Sequence, residues 1–125
     1  MTLIDTSSLV HFLRRQGDPD VKERVRSILR GGDAALCSMI RLELAMGVAS
    51  AKDSKQVDAL CEAMIPLPVN DAVWTEAERL GRECRELGQP VPASDLVIAA
   101  TAFVHGAAVE AEDGHFRLLG MLRRG

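Results

Sequence analysis

Four acidic residues stand where the chain changes character: Asp5 ends an apolar TLI run, Glu43 lies within SMIRLELAMG, Asp95 opens ASDLVIAATAFVHG, and Asp113 sits in EDGHF. Three of them have a plain structural use. Asp5 falls between a strand-like and a helical segment, where a carboxylate caps the helix. Asp95 lies in the first turn of its helix, where the helix dipole favours negative charge. Asp113 precedes Gly114, an ordinary turn pair. Glu43 is harder to place, because the residues three and four positions away are Met39, Ile40, Met46 and Gly47, so its carboxylate projects from an apolar stripe. A metal ion, or a base from elsewhere in the fold, is its expected partner. Carboxylates without a His or Cys set of ligand spacing suit a hard divalent cation, Mg²⁺ or Mn²⁺, rather than zinc. His11, His105 and His115 show no such spacing and are expected to pack or to face solvent, with His115 set apart by its place beside Asp113. Ser7, Ser8 and Ser94 lack the glycine-framed elbow of a serine nucleophile, and no glycine-rich phosphate loop is present.

The elements that must position these acids follow from hydrophobic spacing. TLI and AALC read as short buried strands, IPLPV as a proline-flanked edge strand or extended link, and AAV as a further strand. Helices are predicted over SSLVHFLRR, over VKERVRSILR between the turn GDPD and Gly31–Gly32, and over SMIRLELAMGVAS with Ser38 as its cap. Two more are expected, over about 54–64 and over DAVWTEAERLGRECREL, the second closed by Gly88. ASDLVIAATAFVHG is apolar on nearly all faces, which puts it at the centre. EDGHF reads as a turn and RLLGMLRRG as a ragged end. Strands alternating with helices predict an α/β fold, a three-layer α/β/α sandwich with a short central parallel sheet, in a single domain over 1–125. In such sheets the functional crevice lies at the carboxyl ends of the strands, where Asp5 and Asp113 fall.

Composition narrows the field. With 47% hydrophobic and 26% charged residues in 125, the chain reads as globular rather than disordered. LVIAATAFV is too short to span a bilayer and the N-terminus resembles neither a signal peptide nor an anchor, so a cytoplasmic protein without a membrane role is expected. Cys37, Cys61 and Cys84 have no paired spacing and read as buried reduced thiols. The net charge is −3, yet with the four acids set aside the 15 bases slightly outnumber the remaining acids, so the rest of the surface need not repel a polyanion.

In order and spacing, LIDTSSLV, SMIRLELAMG, ASDLVIAATAFVHG and EDGHF resemble the PIN-domain proteins, and over essentially the whole length the VapC toxins of bacterial toxin–antitoxin pairs. The resemblance implies a PIN-like sandwich, Mg²⁺- or Mn²⁺-dependent endoribonuclease activity on RNA, a cognate antitoxin and a homodimer. By position it implies that Asp5, Glu43, Asp95 and Asp113 form one acidic pocket, supported by the hydroxyls of Thr6 and Ser38. The family often carries a hydroxyl residue two positions before the last acid; here Ala111 stands there between Glu110 and Glu112, so either Asp113 or Glu112 completes the pocket. An antitoxin segment is expected in a groove beside the first two helices, near Leu9, Phe12 and Leu13. With aromatics at 3%, cleavage at an exposed loop of a structured RNA fits better than binding of long single strands. The competing readings are a catalytically silent PIN module serving as an RNA- or protein-binding scaffold, and a phosphohydrolase with an aspartyl nucleophile. Ser7, where a second acid two residues after Asp5 would stand, counts against the latter.

Overall fold

The computed structural model describes residues 1–125. In chain order the elements are β1 (Thr2–Ile4), α1 (Thr6–Leu13), α2 (Pro19–Arg30), β2 (Ala34–Leu36), α3 (Ser38–Met46), α4 (Ala51–Glu62), β3 (Ile65–Pro66), α5 (Asp71–Glu86), α6 (Ala93–Val104), β4 (Ala108–Glu110) and α7 (His115–Met121). The strands form one parallel sheet in the order β3-β2-β1-β4, which leaves IPLPV at an edge as its prolines require. Successive strand residues point to opposite faces, yet Leu3 and Ile4 are both fully buried, so helices cover the sheet on both sides. This is the three-layer α/β/α sandwich that the alternating pattern predicts.

Two apolar clusters hold the layers. One joins β1 and β2 to α1 through α4 around Leu3, Ile4, Leu9, Val25 and Ile40; the other joins α5, α6 and α7 around Val73, Leu80, Ala99 and Leu119. Helix α6 serves both, with Ile98 in the first and Val97 in the second, which explains why its sequence is apolar all round. Its buried Thr101 hydroxyl donates to the Val97 carbonyl at 2.7 Å and so leaves no orphan. The three cysteines are free and buried, as their spacing suggests. No helix is long and apolar enough to cross a membrane.

The register sets up the site. Leu3 aligns with Ala35, Leu36 with Pro66 and Ile4 with Glu110, so the next residue of each strand forms a row along the carboxyl edge: Leu67, Cys37, Asp5, Ala111. The bonds from Leu67 N–H to the Leu36 carbonyl and from Asp5 N–H to the Glu110 carbonyl, both 2.8 Å, carry the pairing into that row.

Three expectations need correction. The stretch read as a ragged end holds α7, because Phe116 and Leu119 lie on one side of a helix and Leu119 is fully buried in the second cluster. Ser38 is the first helical residue of α3 and is exposed; Cys37 occupies the cap position without a side-chain bond. Helix α4 begins at Ala51 rather than near residue 54, since Ser50 Oγ accepts from the Asp53 N–H at 3.1 Å and caps it there.

The turn between α1 and α2 admits a first prediction. A Cβ on Gly17 would stand 1.9 Å from the His11 carbonyl oxygen, a distance no side chain tolerates. Gly17→Ala is therefore expected to push α1 and α2 apart, costing about 1–3 kcal/mol and lowering the melting temperature by roughly 4–12 °C. An unchanged melting curve would mean that the turn relaxes freely.

Candidate active site

Asp5 leaves β1 in an extended conformation and caps α1. Its Oδ2 accepts from the Ser7 N–H at 3.1 Å and from Ser7 Oγ at 2.6 Å. Its Oδ1 is buried with no partner, and the residue is only 3% exposed. Capping therefore accounts for one oxygen and leaves the other at a cost in free energy. Burial pushes the carboxyl above the usual carboxylate range; the Ser7 bonds oppose that shift and the charge of Asp113 adds to it.

Asp95, in the first turn of α6, and Asp113, in the loop after β4, meet at His115, the first residue of α7. His115 Nδ1 lies 2.8 Å from Asp95 Oδ2 and 2.9 Å from Asp113 Oδ1, and ligand atoms of all three residues fall within 4.8 Å of one another. Burial raises the Asp95 carboxyl as well; the His115 bond opposes this, and the charges of Asp113 and Asp5 add to it. Asp5, Asp95 and Asp113 thus share one field of mutual repulsion. No Lys or Arg pairs with any of them.

Ser7 ties the two halves together. While donating to Asp5, its Oγ accepts from the backbone N–H groups of Glu112 at 3.0 Å and Asp113 at 3.3 Å, so one hydroxyl joins the end of β1 to the loop after β4. The sequence shows Ser7 only as a poor nucleophile. Its position two residues after a capping Asp, where a side chain turns back onto the cap, is the signal that points to this role.

Glu43 is placed differently from expectation. The inward side of α3 carries Ile40 and Leu44, while Met46 is 77% exposed, so Glu43 lies half-buried at the margin of the apolar stripe. Its partner is a hydroxyl, with Thr6 Oγ1 donating to Oε1 at 2.8 Å. Glu43 therefore stands beside the residue that follows Asp5 and, like Asp5 itself, lies outside the Asp95–Asp113–His115 group. Ser38 bonds none of the four acids.

Between the two candidates for the last acid, the geometry brings Asp113 to Asp95 and turns Glu112 elsewhere. Arg24 of α2 bonds both Glu112 and Glu110, the latter at 2.8 Å, and Ser8 Oγ donates to Glu110 at 2.8 Å. His11 and His105 keep structural roles: His11 Nδ1 accepts from the Asp18 N–H, and the His105 ring bonds the Pro68 carbonyl. His115 departs from the expected packing role. The Asp-Gly-His sequence was its signal, since a ring two residues after a loop acid shares that acid's surroundings.

A family profile for the PIN domain matches residues 2–120. Ribonuclease VapC11 of Mycobacterium tuberculosis is 31% identical over 126 residues, covering 98% of this chain and 93% of that protein. Among solved structures, VapBC2 from Rickettsia felis, bound to a DNA fragment from its promoter, superposes with a TM-score of 0.80 at 16% identity, covering 94% of this chain and 91% of that one. VapBC-5 from M. tuberculosis, described as a member of the VapBC family of toxin–antitoxin systems, gives a TM-score of 0.64 at 26% identity, over 94% of this chain and 89% of that one. A match spanning nearly every residue from β1 to α7, over a sheet whose carboxyl edge gathers acids from three separate segments, means that the chain belongs to the PIN domain family.

Proposed function

We propose that the chain is a divalent-metal-dependent endoribonuclease and the toxin of a toxin–antitoxin pair. The observation that carries the reading is Asp5 Oδ1: a buried, unpartnered carboxylate oxygen beside Asp95 and Asp113, in a chain 31% identical to a ribonuclease. Carboxylate oxygens that repel one another fit a hard cation such as Mg²⁺ or Mn²⁺. When bound, such an ion supplies Lewis acidity toward a phosphodiester and a lowered pKa for water. Asp5, Asp95 and Asp113 would hold it. His115 orients the latter two, Ser7 fixes the spacing between Asp5 and the loop of Asp113, and Thr6 holds Glu43 on the flank. Hydrolysis of this kind does not use the 2′-hydroxyl, so the cut ends are a 5′-phosphate and a 3′-hydroxyl.

The partner is proposed as an antitoxin, in keeping with the toxin–antitoxin description of VapBC-5. Leu9 is fully buried and unavailable to it, so the groove expected beside α1 and α2 moves to a cleft of about 260 Å³ between α1, α3 and α4, where the half-buried Val10, Leu13 and Val48 face Arg14 and Glu43. A cytoplasmic homodimer completes the proposal. Expression of this chain alone should arrest growth, co-expression with a small neighbouring gene should relieve it, and the purified protein with Mg²⁺ or Mn²⁺ should cut RNA to 5′-phosphate ends. Normal growth together with intact RNA would leave the silent scaffold as the better account.

A further inference from the structure

A second cleft, of about 590 Å³, opens at the carboxyl ends of β2 and β3, on the side of Asp5 away from β4. Its size lies within the range of roughly 300–1,000 Å³ usual for small-ligand sites. Cys37 and Leu67 line it and belong to the row that contains Asp5, so their backbones stand one and two strand spacings from that of Asp5, about 5 and 10 Å. Pro66 and Pro68 give it exposed apolar faces over the buried Met64 and Leu67, while Arg41 of α3 and Glu62 of α4 give it opposite charges. Arg41 pairs with Asp58 at 3.0 Å, but both side chains are about half exposed, and such a pair is weak enough to let the guanidinium turn into the cleft.

We propose that this cleft holds one unpaired base of the RNA, next to the scissile phosphate, and prefers a base with an exocyclic amino group. The proposal rests on the ribonuclease reading and adds a recognition site to it. Guanidinium planes stack on unpaired bases as aromatic rings do, and in a chain with 3% aromatics none lines this cleft, so Arg41 takes that part against the proline wall. A carboxylate only accepts hydrogen bonds, so Glu62 favours a base whose exocyclic amino group donates, such as cytosine, over uracil, which carries a carbonyl oxygen where cytosine carries that amino group. The positive charge of Arg41 offsets that of Glu62 toward the RNA backbone.

The test uses the Asp5→Asn protein, which should bind RNA without cutting it, and short fluorescent oligomers of cytidine and uridine, nearly equal in shape. The C oligomer should bind about tenfold more tightly, Arg41→Ala should weaken its binding about tenfold, and Glu62→Gln should abolish the difference between the two oligomers. Both substituted residues are exposed, and a melting curve confirms that the variants fold. Equal affinities for C and U, unmoved by either change, overturn the base site. If Arg41→Ala leaves RNA binding intact and instead abolishes capture of the co-expressed small protein, the cleft takes a polypeptide and the proposal fails. Since binding is read without turnover, wild-type protein that shows the preference but never cuts defeats the ribonuclease reading alone, and cutting without the preference defeats the base site alone.

Discussion

Asp5→Asn is expected to lower RNA cleavage on the order of 10³-fold or more, while the metal-free protein melts at the same temperature as wild type or higher. The two halves of that result have one cause. Asparagine keeps the cap of α1 and can still accept from Ser7, so the local structure survives. What disappears is a buried charge with an unpartnered oxygen next to the charge of Asp113. Its carboxyl is held above the ordinary value of 3.8, so the folded state binds that proton more tightly than the unfolded chain. Without a cation, ionisation of Asp5 therefore costs stability as pH rises from the ordinary value through the raised one, and the substitution removes that cost at neutral pH. Asp95→Asn should behave alike, for burial raises its carboxyl too. A fall in melting temperature of more than about 4 °C, near 1 kcal/mol for a domain of this size, would make Asp5 a structural cap instead.

Chelation should bring cleavage to background, and added Mg²⁺ or Mn²⁺ should restore it. A second, independent readout is thermal. A ligand that binds only the folded state at a hundred times its Kd adds about 2.7 kcal/mol, so the melting temperature should climb by roughly 10 °C across a Mg²⁺ titration. Asp5→Asn should blunt that climb. Metal and protons compete for the raised carboxyls of Asp5 and Asp95, so the midpoint of the titration should move to higher Mg²⁺ as pH falls. Cleavage that persists in chelator would remove the metal from the mechanism.

The layers, the parallel sheet and the buried α6 were legible because each rests on local periodicity: TLI and AALC are apolar runs of strand length, and the α6 segment is apolar on every face. Helix α7 was not, because its apolar stripe is short and only the fully buried Leu119 shows that a second cluster needs it. Within the site, the positions of Asp5 and Asp95 at helix starts fit plain capping as well, and it was the resemblance to PIN-domain proteins that assigned them to a pocket. The choice between Asp113 and Glu112 needed Arg24, which comes from a helix some 88 residues away in sequence and draws Glu112 to itself. Glu43 shows the limit of helical spacing, which tells which residues share a face but not where the core boundary crosses it. Ser7 and His115 carry short local signals, but their partners show only in the fold, where the end of β1 meets the loop after β4 and that loop meets the start of α6.

That adjacency also orders events in time. The hydroxyl of Ser7 reaches a partner 106 residues away, and β1 finds one neighbour early, in β2, and the other late, in β4. A ribosome adding roughly 5–20 residues per second makes Asp5 about 5–20 s before Asp113 exists, and pairing between such distant segments is intrinsically slow. During that interval the growing chain can cap α1 but has only one wall of its pocket. Latency is thus written into the strand order: the central strand is made first, yet the acid group is completed nearly last.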